Sequence, residues 1–406
     1  MQIITPHFIL MNDRVSTNLS VAFDKQIKKI APFDELLDEF PHAKVTTLRE
    51  NSLLMPGLIN AHVHIEFSAN KTHLSYGDFM SWLYSVIENR EDLIGGCNSK
   101  CMSKAIDDML ACGITTFGAI SSHGMDLESC KNAKQNVVYF NELIGSQAVM
   151  ADTLFGDFLS RLDASKSVER DGFHPAVAIH SPYSVHPVLI KKALGIVKNE
   201  KLKLTAHFME SQAERDWLDK SDGDFKDFFE NLLKQKTAVS DSTEFLEHFD
   251  GFDTLFTHAT KTNNDELDSI AKNKQTIIHC PISNRLLGNG TLDIKTLQEK
   301  NIRWIVATDG LSSNYELDLF EEMKVALFMH SHMPLLELAK KLLRGVTKDA
   351  AEALGLNTGE IAEGKNADML ILDLDSEPNE ELAIHLILHR YNISKVYVNG
   401  KLEKED

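Results

Sequence analysis

Eight short apolar runs, spaced by amphipathic stretches, constrain this 406-residue chain more than any other feature. They are Leu53–Asn60, Ile114–Ile120, Val137–Ile144, Ala176–His180, Leu202–His207, Thr254–His258, Thr276–Cys280 and Ile302–Thr308. Each reads as a strand, and near-continuous apolarity suits a parallel sheet covered on both faces. Ser99–Ala111, Pro187–Asn199 and Glu316–His330 carry helical patterning between them. Strands alternating with helices in this number predict an α/β fold, a (β/α)8 TIM-type barrel.

The two ends of the chain read differently. Ile3–Leu10, Leu19–Phe23 and the stretch around Lys44–Leu48 are strand-like, as are Asp368–Asp373 and Lys395–Val398 near the other end. Turns at Gly364-Lys365 and Asn399-Gly400 punctuate the latter. The expectation is one small β-sandwich domain formed from both chain ends: residues 1–56 and 358–406, with the barrel over 57–357. Leu335–Leu354 is expected to be helical, and Leu218–Thr243 to be a long helical excursion.

Charge and composition exclude some classes. A formal net charge of -18 argues against non-specific binding to nucleic acid or an anionic membrane. No apolar run approaches the roughly 20 residues that span a bilayer, and MQIITPHFIL lacks the pattern of a signal peptide. Five cysteines at irregular spacing fit reduced thiols, so a cytoplasmic protein is expected. Cys97 and Cys101 have no second pair nearby and are not read as a zinc knuckle.

Chemistry-bearing residues gather where the runs end. His62 and His64 are two apart in an extended segment, where i and i+2 point the same way. His330 and His332 have the same spacing but end a helical pattern, where such residues face apart, so they are read as surface or helix-terminal. His62/His64, His180, His207, His258 and Asp309 all fall at or just beyond strand ends, the face on which barrel catalytic residues gather. Three histidines and an aspartate can close a tetrahedral divalent-metal site, and such donors suit zinc, with ferrous iron or manganese the alternatives. No lysine at the fourth strand end is placed to bridge two ions, so one metal is expected. Glu210, three residues after His207, is the natural proton shuttle; the alternatives for such a carboxylate are a ligand or an orienter of one. The loops CPISN and LLGNG, and TDGLSSN after strand eight, line a pocket or are simply turn chemistry.

The segments PGLINAHVH, HFME, CPISNRLLGNG, ATDGLSSN and GEIAEGKNADMLILD together resemble the aminohydrolase branch of the amidohydrolase superfamily, across essentially the whole chain. EFSANKTHLSYGDFMSWLYSV, SPYSV, SNRLL and HMPLLELAKK look like the aminodeoxyfutalosine deaminases of the futalosine route to menaquinone. The resemblance implies metal ligation by His62, His64, His207 and Asp309. It also implies Glu210 as the acid/base that protonates the purine nitrogen, His258 positioning the attacking hydroxide, and Asp309 receiving a water proton. His180 would contact the base and Glu91 the ribose hydroxyls, with Glu88 close enough to leave that register open. The expected reaction replaces the 6-amino group of an adenine-type nucleoside by a keto group, with release of ammonia.

One departure bears on the substrate. Methylthioadenosine/S-adenosylhomocysteine deaminases carry an arginine near the end of strand three, where this chain has Asn141-Glu142. The futalosine substrate ends in a benzoate, so a cation is expected near the pocket mouth, with Arg285 and Lys71 as candidates. The alternatives are a deaminase of methylthioadenosine, S-adenosylhomocysteine or adenosine, and a catalytically silent assembly subunit, which lost ligands would mark. The partner expected is a small nucleoside; a homodimer is compatible with the sequence.

Overall fold

The computed structural model describes residues 1–69 and 74–405, so Lys71 lies outside the described residues. Eight parallel strands follow one another in chain order: Leu58–Val63, Ile114–Ser121, Asn136–Leu143, Phe173–Ile179, Leu204–Phe208, Thr254–His258, Thr276–His279 and Arg303–Val306. Most of their residues are buried, as a sheet with helices outside and packed side chains inside requires. The eighth strand returns to the first. Asp309 N–H donates to His62 O (3.2 Å), and the Asn60 amide bridges the seam through Thr308 Oγ1 (2.7 Å) and Thr308 N–H (3.1 Å). The fold is the expected (β/α)8 barrel.

Helix starts follow local chemistry. Asn263 and Glu266 make a capping box at Asn264–Lys272, and Pro187 takes the first position of Pro187–Glu200, where its missing N–H costs nothing. At the chain ends, Gln2–Thr5, Ser20–Phe23, Ile27–Ala31 and Lys44–Thr47 form a four-stranded sheet. A six-stranded sheet comprises Phe8–Met11, Arg14–Thr17, Ser52–Pro56, Met369–Asp373, Asn392–Val398 and Lys401–Glu405. Ile4, Val21 and Phe23 of the first pack with Leu54, Ile371 and Tyr397 of the second, giving the sandwich expected from both ends. Burying an aliphatic or phenylalanine side chain of this kind contributes about 1.5–3 kcal/mol.

Several expected elements divide. Leu53–Asn60 is two strands, because Gly57 carries the chain from the six-stranded sheet into the barrel. A Cβ at Gly57 would sit 2.2 Å from Thr115 Oγ1, so no larger residue makes that crossing. Ile3–Leu10 breaks around Pro6, which has no N–H to give a ladder. The excursion at Leu218–Thr243 is not one helix: Gln212–Lys220, Asp224–Leu233 and Ser242–His248 are separated by left-handed turns at Ser221 and Lys234 and by a non-helical stretch. Leu335–Leu354 is two helices, Leu335–Gly345 and Lys348–Leu354. His330 does end a helix, Leu319–Met329, but it is fully buried rather than on the surface, because His279 of strand seven meets it.

Candidate metal centre and active site

His62 lies near the end of strand one, where the pairing with strand two shifts register between Asn60 and Val63. Such a bulge re-aims side chains. Gly310 then packs on His64; a Cβ there would come within 2.9 Å of His64 Cβ, which gives the Thr-Asp-Gly sequence after strand eight a steric reason. His207 is the penultimate residue of strand five, His258 closes strand six, and Asp309 follows strand eight. Met209, His258 and Asp309 all hold positive φ (49°, 73° and 59°). A non-glycine residue there is strained by roughly 1–3 kcal/mol, and such strain concentrates at functional sites.

The nitrogens converge. His64 Nε2 lies 3.4 Å from His207 Nε2, and Asp309 Oδ1 lies 3.7 Å from His62 Nε2 and 3.5 Å from His64 Nε2. With bonds of about 2.0–2.1 Å, neighbouring ligands of a tetrahedral ion stand about 3.3–3.4 Å apart, so the spacing fits a divalent cation. The hydrogen bonds fit as well. His207 Nδ1 faces His180 O (2.9 Å), a carbonyl that only accepts, which holds the hydrogen on Nδ1 and leaves Nε2 with its lone pair inward; His62 Nδ1 faces the Thr257 hydroxyl (3.2 Å). His62 Nε2 is buried with no hydrogen-bond partner, a cost that a cation removes. His62, His64 and His207 form one group able to hold a metal; Glu142, His180 and His207 form a second. Among the described residues no cysteine enters either group.

Burial drives the electrostatics. It lowers His64 to about 3 and His180 to about 4 and holds His207 well below its ordinary value, so these rings are neutral and able to donate lone pairs. Burial opposes ionisation of Asp309, yet the surrounding histidines hold its carboxyl well below the usual range. Ser283 Oγ and Ser313 Oγ both donate to Asp309 Oδ2 (2.8 Å each), and Gly310 N–H donates to Oδ1 (2.8 Å).

Glu210 is placed by its own sequence neighbours. Ser211 caps the helix Gln212–Lys220, and Ser211-x-x-Glu214 has the capping-box spacing. The Glu214 carboxylate reaches past the cap to accept from Glu210 N–H (2.7 Å) and Met209 N–H (3.1 Å). Glu210 is buried, Asn289 Nδ2 donates to its Oε1 (3.1 Å), and the same oxygen stands 3.6 Å from His258 Nε2. Burial and then Asp309 push the Glu210 carboxyl well above the usual range. His258 Nδ1 faces Asn284 Oδ1 at 2.9 Å.

Of the remaining expected residues, His180 lies against this centre. His180 packs beside His207 (ring centroids 5.1 Å apart), and its Nδ1 faces the Ser184 (2.6 Å) and Ser181 (3.0 Å) hydroxyls. Glu91 and Glu88 are exposed, on helices Arg90–Gly96 and Phe79–Glu88. The latter helix is tied to the strand-eight loop by Trp82 Nε1 donating to Ser312 O (2.8 Å). Arg285 is exposed on Pro281–Leu286, the helix that carries Ser283 and Asn284. The loops expected to line a pocket supply Ser283, Asn284, Asn289 and Ser313, while sequence reasoning did not name Thr257, Glu142 or Glu214 as site residues. Glu142 is fully buried with Oε1 unpartnered, 3.8 Å from His207 Nδ1, and burial raises its carboxyl to about 7.

A parallel barrel with neutral histidines, an ionised aspartate and a buried proton-holding glutamate at its strand ends defines a metal-dependent hydrolase site. The chain belongs to the amidohydrolase family, whose model matches residues 53–402. It is 48% identical to an aminodeoxyfutalosine deaminase of Nitratiruptor sp., over 99% of each chain. It is 35% identical to an adenosine deaminase of Helicobacter pylori over 95% of each. The crystal structure of Helicobacter pylori aminofutalosine deaminase in complex with methylthio-coformycin superposes with a TM-score of 0.93 at 34% identity, covering 99% of this chain and 100% of that one.

Proposed function

We propose that this chain is a hydrolytic deaminase that replaces the 6-amino group of an adenine-type nucleoside by a keto group and releases ammonia, with aminodeoxyfutalosine as its substrate. The observation that carries the reading is the buried Glu210 carboxyl beside His258 and the four converging donors. The 48% identity over the full chain supports the choice of substrate. His62, His64, His207 and Asp309 would hold one divalent ion, zinc by the chemistry of the donor set. When bound there, the ion supplies a water acidified toward a pKa of about 7.

The protein's own groups do the rest. Glu210 keeps a proton because it is buried, and gives it to the ring nitrogen beside the carbon under attack. Repulsion from Asp309 is the part of its raised pKa that a cation would cancel; burial is the part that stays. His258 Nε2, facing Glu210 and Asp309, orients the attacking water, and Asp309 takes its proton. His180 meets the base through the nitrogen that Ser181 and Ser184 leave unused. Glu91 is assigned to the ribose on resemblance, and Arg285 is the candidate cation for the distal carboxylate, exposed on the helix that carries Ser283 and Asn284; Glu91→Ala should lose activity on nucleosides, and unchanged kinetics would move that role.

The test is a panel of aminodeoxyfutalosine, methylthioadenosine, S-adenosylhomocysteine, adenosine and guanine, read by ammonia release and the adenine-to-hypoxanthine absorbance change. Highest kcat/KM on aminodeoxyfutalosine is expected. A preference for adenosine would favour the second reading, which the 35% identity to an adenosine deaminase supports. Turnover of guanine alone would sink the nucleoside assignment.

A further inference from the structure

Behind His258, on the side away from the four donors, a line of buried polar groups runs outward. Asn284 Oδ1 faces His258 Nδ1 (2.9 Å), Asn284 Nδ2 faces His279 Nδ1 (3.4 Å), and His279 Nε2 faces His330 Nε2 (3.0 Å). All four side chains are almost wholly buried. His330 Nδ1, at the outer end, has no hydrogen-bond partner.

Donor and acceptor rules leave little freedom along this line. A carboxamide oxygen only accepts, so His258 Nδ1 must carry hydrogen whatever the charge of its ring. The amide NH2 only donates, so His279 Nδ1 must be bare, and a neutral His279 then carries its hydrogen on Nε2. That hydrogen points at His330 Nε2, which must accept, putting the hydrogen of His330 on Nδ1. Burial holds His279 far below its ordinary value and lowers His330 to about 4, so both rings are neutral near pH 7. Turning the Asn284 amide over would set NH2 against N–H at His258 and oxygen against a bare nitrogen at His279. It can happen only if His258 and both outer histidines all exchange their hydrogens at the same time.

We propose that His279, braced by His330, is a positioning residue: it anchors the Asn284 amide so that its carbonyl keeps the His258 hydrogen on Nδ1 and leaves Nε2 as the acceptor facing the site. The pairing reaches the chemistry from outside the pocket and touches neither the ligand-binding nitrogens nor Glu210. It rests on the deaminase reading only for its kinetic consequence; the tautomers can be read whether or not that reading holds.

The experiment uses full-length, zinc-loaded protein labelled with ¹⁵N-histidine, with two-bond ¹H–¹⁵N correlation spectra assigned by single substitutions. Wild type should show His258 with hydrogen on Nδ1, His279 on Nε2 and His330 on Nδ1. His279→Leu should leave His258 as a mixture of tautomers, lower kcat about 10–100-fold, as loss of an outer orienting partner does, and change KM less than about twofold. Metal content should be unchanged, and His279→Gln, which still offers an acceptor and a donor, should recover most of the rate. Asn284→Asp provides a variant with the core volume kept. Its carboxylate accepts from both neighbours, so His258 should stay unchanged while His279 and His330 both reverse, although His330 does not touch position 284. Hydrogen on His258 Nε2 in wild type, a single unaltered His258 tautomer in His279→Leu, or an unmoved His330 in Asn284→Asp would each overturn the inference. Failure of every variant and of wild type on the nucleoside panel, with the tautomers as stated, would instead remove the functional reading.

Discussion

Replacing Glu210 by Gln separates the proton from everything else this residue does. Gln keeps the shape and an oxygen for Asn289 Nδ2, and the main-chain anchor to Glu214 is untouched. What is lost is an acid 3.6 Å from His258 Nε2. General acid–base steps contribute about 10²–10⁴-fold, so kcat should fall by that factor, which is about 3–5 kcal/mol of barrel-face chemistry at 1.36 kcal/mol per tenfold. Stability should move the other way. The native Glu210 carboxyl lies well above its unfolded value of 4.5, so the native state binds a proton that the unfolded chain has released. By linkage, this makes wild type lose stability as pH rises above about 4.5. The metal-free Glu210→Gln protein should therefore gain stability relative to wild type as pH goes from 4.5 toward 8, with no gain below pH 4. Denaturation of the metal-free proteins across pH, metal analysis by mass spectrometry and steady-state ammonia release measure the three effects. Full turnover, loss of metal, or a stability difference that ignores pH would refute the assignment of Glu210 as a buried proton carrier.

Other perturbations probe the scaffold. Ser283→Ala with Ser313→Ala removes both hydroxyl donors from Asp309 Oδ2 and should weaken metal affinity about 10–100-fold in a chelator competition; equal affinity would show that Asp309 needs no such support. Glu66→Gln puts an NH2 group where a carboxylate accepts from Ser122, His123 and Met125 N–H, and should cost about 1–3 kcal/mol in chemical denaturation, with an unchanged midpoint counting against it. Burial, then the neighbouring Glu66, raises Asp126 from 3.8 to about 7, so wild type should lose stability relative to Asp126→Asn as pH rises between those values; a deficit that instead grows on acidification would show that Asp126 is not held protonated by burial.

The barrel and the donors that converge at its strand ends were legible because both rest on local pattern. Apolar runs mark strands, and a histidine or aspartate closing such a run lands on the face where strand ends meet. The CPISN and TDGLSSN loops were legible as possible pocket walls, but not the partners of Ser283 and Ser313, nor any part for Thr257, since these contacts arise only through tertiary packing. Glu214 had a local signal, the Ser211-x-x-Glu214 spacing, but nothing in that spacing says the carboxylate will reach past the cap to Glu210. Of the two readings for His330, surface or helix-terminal, the second holds, and its burial was not legible because it depends on a histidine 51 positions away. The run Leu53–Asn60 hid a change of sheet, for hydrophobicity is the same on either side of Gly57.

That change of sheet has a consequence for the order in which the molecule can be assembled. Ser52–Pro56, directly upstream of the strand that carries His62, pairs with Met369–Asp373, more than three hundred residues later. A growing chain at about 5–20 residues per second therefore holds this strand without that neighbour for roughly 15–60 seconds. The long loop costs little free energy to close, since the penalty rises only with the logarithm of length. It costs time, during which an apolar strand edge stands open to the wrong partner. The late-made strand thus acts as a latch on the segment that carries His62 and His64, and refolding of the candidate metal centre should keep pace with docking of Met369–Asp373 rather than with closure of the barrel's middle.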